Sequence, residues 1–256
     1  MPVILAVDIG NTDVTCGVID DATVRARWAL HSDLNRTEHE FADLLRAMLA
    51  YVDAGPIVHA VVGSVVPALT PRISEALAAV TTTPPLVVRA EAVPGIRLRV
   101  DEPAQVGVDR VANAIAARAE VGGPVIVADL GSVTTFDVVD ARGDLRGVVI
   151  APGIRALGEA LTASGAQLPK IDIERPEGLV GRNTVDAMRA GVYWGYVELA
   201  RGVIGRLTAE PGGPWKVVAT GGLAARLAAD VGGFERVDAD LTLKGLARIH
   251  QAMTGE

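Results

Sequence analysis

Asp8-Ile9-Gly10-Asn11-Thr12 follows directly on an apolar run at residues 3–7 and ends it with a carboxylate, a glycine and side-chain donors. In the second half, an apolar run at residues 125–128 leads into Asp129-Leu130-Gly131-Ser132-Val133-Thr134-Thr135, built to the same plan. A glycine in such a turn lets backbone N–H groups come close to a ligand, which suits phosphate. Asn11, Thr12 and Thr15 add donors, and Asp8 is a hard oxygen ligand of the kind Mg²⁺ prefers. Asp129 repeats the carboxylate, and Ser132, Thr134 and Thr135 repeat the hydroxyls, although the two threonines are equally good strand formers. A carboxylate closing an apolar strand is costly unless it binds something, and a cation is its natural partner. A single Asp-x-Gly is also what a plain hairpin turn looks like. Two of them, each followed by more strands and then helices, point to a duplicated fold that holds a nucleotide between its halves.

Three further segments carry chemistry. Thr220-Gly221-Gly222, between a strand and an Ala-rich helix, is a place where backbone can approach a flat or anionic ligand. Gly107-Val108-Asp109-Arg110 opens a helix; Asp109 there is either a cap and dipole partner or a base, and Arg110 offers a fork that grips a carboxylate or phosphate with two bonds. Gly181-Arg182-Asn183-Thr184 precedes a long helix, with Asn183 or Thr184 as its cap and Thr184 as a candidate small-molecule contact. The four histidines, His31, His39, His59 and His250, show no ligand spacing, which argues against a zinc site or a histidine-based triad. The one cysteine, Cys16, lies inside a predicted strand and reads as a buried free thiol.

The elements that must position these residues repeat in order. Strands are predicted at 3–7, 14–19 and 24–30, a helix at 37–52 with Thr37 and Glu40 as a capping box, a strand at 58–62 and a helix at 67–80. An Ala-rich helix over 105–121 joins the halves. Strands follow at 125–128, 134–139 and 145–150, then helices at 154–164 and 189–207, and a last strand at 216–219. Residues 167–181, with two prolines, three acids and no periodicity, read as a loop, either a plain surface connection or a mobile one.

Composition narrows the class. Half of the 256 residues are apolar but only 4% are aromatic, so the core is made of Ala, Val, Leu and Ile, as in α/β proteins. The formal net charge is −7 with no basic block, which disfavours nucleic acid as a partner. No basic leader opens the chain at Met1-Pro2 and no apolar run reaches 18 residues, so we expect a protein of the cytoplasm with no membrane span.

Taken together, Asp8 to Thr12, Gly107 to Arg110, Asp129 to Thr135, Ile150-Ala151-Pro152-Gly153, Gly181 to Thr184 and Ala219 to Gly222 give the chain a resemblance to the type III pantothenate kinases. That family belongs to the superfamily of actin, heat-shock ATPases, sugar kinases and acetate kinase. The resemblance implies an α/β protein of two ribonuclease-H-like domains, 1–115 and 116–256, with ATP in a cleft between them, and a homodimer. It also implies ATP-dependent phosphorylation of pantothenate to 4′-phosphopantothenate, the first step towards coenzyme A, dependent on Mg²⁺ and on K⁺ or NH₄⁺.

Position by position, the resemblance makes Asp8, Ile9, Gly10, Asn11, Thr12, Asp13, Val14 and Thr15 the phosphate loop, with Asp8 serving Mg²⁺. Ser132, Gly221 and Gly222 join them around ATP. Asp109 becomes the general base, Asp129 the monovalent-cation ligand, and Val100, Gly107, Val108, Arg110 and Thr184 the substrate contacts. The chain departs from the family pattern on the acceptor side, with Val100 in place of a tyrosine and Gly165 in place of a threonine; Val148 also replaces a glycine, and Ser132 a threonine. Those departures leave two other functions compatible with the residues, namely a catalytically weak relative acting as a nucleotide-binding regulator, or a kinase of the same fold for another small hydroxy acid.

Overall fold

The computed structural model describes residues 3–21, 23–165 and 168–255, which fall into two compact units. Met1, Pro2 and Gln167, named in the expectations above, lie outside the described residues.

The first unit holds the chain through Glu120, the short piece Gly143–Leu145 and everything described from Asp240 onward. Its strands are β1 (Ile4–Ile9), β2 (Asp13–Asp20), β3 (Thr23–His31), β4 (His59–Ser64) and β5 (Leu86–Val87), and its helices before Val121 are α1 (Glu38–Tyr51), α2 (Thr70–Ala78) and α3 (Val108–Val121). The sheet order is β3-β2-β1-β4-β5, with β1 antiparallel to β2 and parallel to β4. β1 is central and buried on both faces, which is why it is an unbroken apolar run up to Asp8. β3, at the edge, alternates instead and turns Arg25 and Arg27 outward. Leu5, Val7 and Ile9 pack with Phe41 and Leu45 of α1 and Ile73 and Leu77 of α2.

The second unit spans Val121–Arg142 and Arg146–Ala239. It contains β6 (Val125–Leu130), β7 (Val133–Val139), β8 (Leu145–Pro152), α4 (Ile154–Ser164), α5 (Thr184–Thr208), β9 (Lys216–Thr220), α6 (Ala224–Val231) and β10 (Arg236–Val237), with Leu145, the first residue of β8, counted in the first unit. The order β10-β9-β6-β7-β8, with β6 antiparallel to β7 and parallel to β9, repeats the first sheet strand for strand. Both units are ribonuclease-H-like, and the α/β class and the duplication read from the sequence are borne out.

The boundaries differ in instructive places. α3 starts at Val108, because Pro103–Gln105 forms a 3₁₀ turn closed by Val106 N–H donating to Pro103 O at 3.1 Å. α5 starts five residues earlier than expected, because the Asn183 side chain accepts the N–H of Asp186 and caps an exposed polar first turn that carries no apolar period. The Thr37–Glu40 capping box is present as expected. The short strands β5 and β10 and the last helix, α7 (Leu241–Thr254), were not expected at all.

α7 lies on the face of the first sheet opposite α1 and α2. A Cβ at Gly17 would stand 2.7 Å from Leu243 Cδ1, and one at Gly63 would stand 2.9 Å from Leu246 Cδ2, so two strand glycines make room for its leucines. On its other side α7 meets α3 backbone to backbone, since a Cβ at Gly245 would lie 2.0 Å from Ala112 O. Cys16 sits in this unit fully buried, and burial together with the nearby charge of Asp8 pushes its thiol up to about 12, so it is an inert core residue. We expect Gly245→Ala to destabilise the protein by about 1–3 kcal/mol, the usual range for overpacking, read as a lower urea midpoint with an unchanged slope.

Candidate functional site

Each unit gathers its chemical groups at the carboxyl ends of its central strands. In the first, Asp8, next to the last residue of β1, is directly opposite Thr15 on β2 and Gly63 on β4, so these three share one sheet face. That face is the one covered by α3 and α7, because a Cβ on Gly63 would meet Val108 at 3.0 Å as well as Leu246. The turn after Asp8 is closed by Gly10 N–H donating to Asp13 O at 3.0 Å. Ser32, just beyond β3, pins the same turn: its hydroxyl donates to Gly10 O at 2.6 Å and its N–H to Thr12 O at 3.0 Å. Asn11, Thr12 and Asp13 are exposed at the tip, whereas the side chains of Ile9 and Val14 are in the core, leaving only their backbone for a ligand.

The start of α3 is seated at the same end of the sheet. Val65 N–H donates to Ile9 O at 3.0 Å, and Val65 Cγ1 would be 3.2 Å from a Cβ on Gly107. That Cβ would also stand 2.2 Å from Asp109 Oδ1, so Gly107 is glycine because the Asp109 carboxylate occupies the space. Arg110 N–H donates to the same oxygen at 2.9 Å. Burial raises the Asp109 pKa above the ordinary aspartate value, and the Arg110 N–H and guanidinium only partly offset it. A cleft of about 330 Å³, lined by Val65, Arg89, Glu91, Gln105 and Gly107, opens beside this turn. Val108 is buried against Gly63, and Val100 is half-buried in the segment after Arg99. Arg99 Nε holds Asp144 Oδ2 at 2.6 Å within the first unit.

In the second unit Asp129, next to the last residue of β6, is opposite Thr135 on β7 and Thr220 on β9, the counterpart of the Asp8 arrangement. Gly221, at φ +94°, would place a Cβ 2.4 Å from Asp129 Oδ1, and a Cβ on Gly131 would lie 3.3 Å from it. Gly221 is thus required twice, by its left-handed backbone and by the carboxylate against it. Gly153 brings the Pro152 turn under the same loop, where a Cβ would meet Ser132 O at 2.3 Å and Gly131 O at 2.7 Å. Ser132 is exposed at the tip. Thr134 faces the other way: its hydroxyl is 2.6 Å from Tyr196 Oη in the core, so of the two threonines only Thr135 shares a face with Asp129. Thr184 is the exposed first residue of α5, and Asn183 is the cap.

No group of three or more His, Cys, Asp or Glu side chains suited to a metal ion occurs among the described residues. Single carboxylates beside close-packed backbone, as at Asp8 and Asp129, fit cations that are partly held by phosphate oxygens and carbonyls. The sequence reading missed Ser32 and the fully buried Asp137. Ser32 had a faint signal, a hydroxyl just past the strand that pairs with the Asp-x-Gly hairpin; Asp137 had none.

With these groups in place, a family model described as type III pantothenate kinase matches residues 4–206. The chain belongs to this family. A type III pantothenate kinase of Acidiphilium cryptum is 44% identical over 244 residues, 94% of this chain and 92% of the relative. That of Moorella thermoacetica is 38% identical over 253 residues, 98% and 100% of the two chains. Solved structures of the same fold include the (R)-2-hydroxyglutaryl-CoA dehydratase component A of Acidaminococcus fermentans, with a TM-score of 0.55 at 15% identity over 99% and 100% of the chains. The ROK hexokinase of Thermus thermophilus has a TM-score of 0.52 at 16% identity over 96% and 98%. As a member of this kinase family the chain is an enzyme, and its motif glycines have the physical reasons given above.

The Asp109 carboxyl has a definite pH signature. Its pKa is raised by folding, so its contribution to stability is complete below the ordinary aspartate value and is lost as pH climbs through the raised value. Asp109→Asn is therefore expected to unfold at higher urea than the parent at pH 8, with the difference vanishing towards pH 3.

Proposed function

We propose that this kinase transfers the terminal phosphoryl group of ATP to the primary hydroxyl of pantothenate, giving ADP and 4′-phosphopantothenate. The observation that carries the reading is the Gly107–Arg110 turn. A half-buried carboxylate with a raised pKa and an arginine fork stand side by side at a helix start, as a hydroxyl-bearing carboxylate substrate requires. Arg110 grips the carboxylate of pantothenate, with Gly107, Val108, Val100 and Thr184 as the remaining contacts. Asp109 orients the hydroxyl and takes its proton late in the transfer, when phosphorus–oxygen bonding has made that proton acidic.

The Gly10–Asp13 turn offers backbone N–H groups to the phosphates, with Asn11, Thr12 and Thr15 as side-chain donors. Asp8 and Asp129 are the residues that would hold Mg²⁺ and K⁺ or NH₄⁺, which when bound neutralise phosphate charge. Ser132 and the Gly221-Gly222 backbone face ATP. The second unit has a cleft of about 800 Å³ that starts at Leu223, directly after Gly222, and is large enough for a nucleoside.

A homodimer is part of the same reading. Leu179 and Val180 are strongly exposed beside a shallow groove of about 540 Å³ formed by Ala187, Ala190, Gly191, Trp194 and Gly195, an apolar strip of a kind that a second copy covers. No helix among the described residues is long and apolar enough to cross a membrane, and we place the enzyme in the cytoplasm with its metabolite substrates.

ADP release by the purified chain should require pantothenate and K⁺ or NH₄⁺ together, and Asp109→Asn should lower kcat by at least about 10²-fold, the scale of a lost acid–base group. Asp129→Asn should raise the K⁺ concentration needed for half-maximal rate. No turnover with ATP, Mg²⁺, pantothenate and K⁺ all present would overturn the proposal.

A further inference from the structure

Residues 168–183, leading into α5, have no regular structure, yet α6 and α5 fasten part of them. Arg226 Nη2 donates to Ile173 O at 2.9 Å. Two residues on, Arg175 pairs with Asp230 through two nitrogens, Nε to Oδ2 at 2.9 Å and Nη2 to Oδ1 at 3.1 Å, and lies over the Trp194 ring at 5.3 Å. Tyr193 Oη donates to Asp230 Oδ2 at 2.6 Å. Arg226 and Asp230 are four residues apart on α6 and so point from one face of that helix. The loop expected over 167–181 is, for residues 168–175, an irregular surface segment that is tethered as a wall and has Ile171 buried within it.

That wall faces the cleft of about 800 Å³, which Lys170, Asp172 and Glu174 line from one side and Arg155 and Glu159 of α4 from the other. Behind the wall is a void of about 50 Å³ between Ile154, Ile173, Tyr193 and Leu227. With that gap behind it, the wall is held where it is by the polar contacts to α6 more than by close packing. α6 in turn begins immediately after Gly221-Gly222, and Gly221 abuts the Asp129 carboxylate. One short helix thus joins Leu223, which follows the glycine pair and lines the cleft, to the far wall of that cleft.

We infer that Asp230, acting with Arg175 and Tyr193, is a positioning residue for the nucleotide: it sets the distance between the 170–174 wall and the start of α6, and hence the fit of the nucleoside. The inference rests on reading this cleft as the nucleoside site. Asp230 touches no substrate and acts only through the wall. Arg175, and after it Tyr193, hold the Asp230 carboxyl below the ordinary aspartate value, so the clamp remains charged across the neutral range. Because the Arg175 side chain is 62% exposed, the pair adds little to global stability, and its loss should appear in binding before folding.

The test compares the full-length parent with Asp230→Asn, Arg175→Gln and Arg175→Lys, measuring KM for ATP, KM for pantothenate, kcat, ADP affinity by calorimetry and the urea midpoint. Asp230→Asn and Arg175→Gln should raise KM for ATP and weaken ADP about ten-fold, leaving kcat and KM for pantothenate within about two-fold, with Arg175→Lys recovering part of the loss. Unchanged ATP and ADP constants in both variants, beside normal binding by the parent, overturn the inference alone. A fall in kcat that merely follows a fall in urea midpoint, with no change in KM, overturns it as well by showing a structural role. A parent chain that binds neither ATP nor ADP overturns the nucleoside reading and the inference with it.

Discussion

Each central strand of this protein runs through a dry core and carries a carboxylate one residue before its end, and the placement of that charge constrains everything around it. Asp8 and Asp129 are the last residues but one of strands whose other residues are buried, beside the point where the sheet gives way to a turn. A carboxylate one residue deeper would lie fully in the apolar layer, where an ionised group is too costly to keep. One residue later, at Ile9 or Leu130, it would again point into the buried core. The strand end fixes the backbone while leaving one side open to the turn. Asp109 reaches the same compromise from a helix start, where Arg110 offsets part of the burial cost and leaves a carboxyl suited to exchanging a proton.

Such half-buried charges leave no room for ordinary side chains beside them. Gly107 and Gly221 lie where a Cβ would collide with the carboxylates of Asp109 and Asp129, and Gly153 lets a second turn pass under the Gly131–Ser132 backbone. The same device operates away from the chemistry. Gly17 and Gly63 seat the leucines of α7 on the first sheet, and Gly245 lets that helix touch α3. Since α3 carries Asp109 at its start, α7 supports that carboxylate by pressing its helix onto the end of β4.

Much of this was legible in the chain. The apolar runs before Asp8 and Asp129, the Thr37–Glu40 capping box and the repeated succession of strands and helices are local patterns, and local patterns survive folding. What escaped was either weakly marked in the local sequence or set by distant partners. The first turn of α5 is polar and exposed, so its only signal was the Asn183 cap. The two-residue strands β5 and β10 exist because a neighbouring strand is there to pair with them. Residues 168–175 look like a free loop until Asp230, far along the chain, reaches back to Arg175.

The sequence by itself determined the chemical inventory: two Asp-x-Gly strand ends, an Asp-Arg pair at a helix start and a glycine pair before another helix, each specified by residues adjacent in the chain. Which of those residues share a face was decided by the tertiary structure. Strand register aligned Asp8 with Thr15 and Gly63, and Asp129 with Thr135 and Thr220, while turning Thr134 inward to Tyr196. The reason is physical. Side-chain type is written residue by residue, but burial, and with it the raised pKa of Asp109 and the need for glycine beside each carboxylate, depends on surfaces that meet only after the chain has closed on itself.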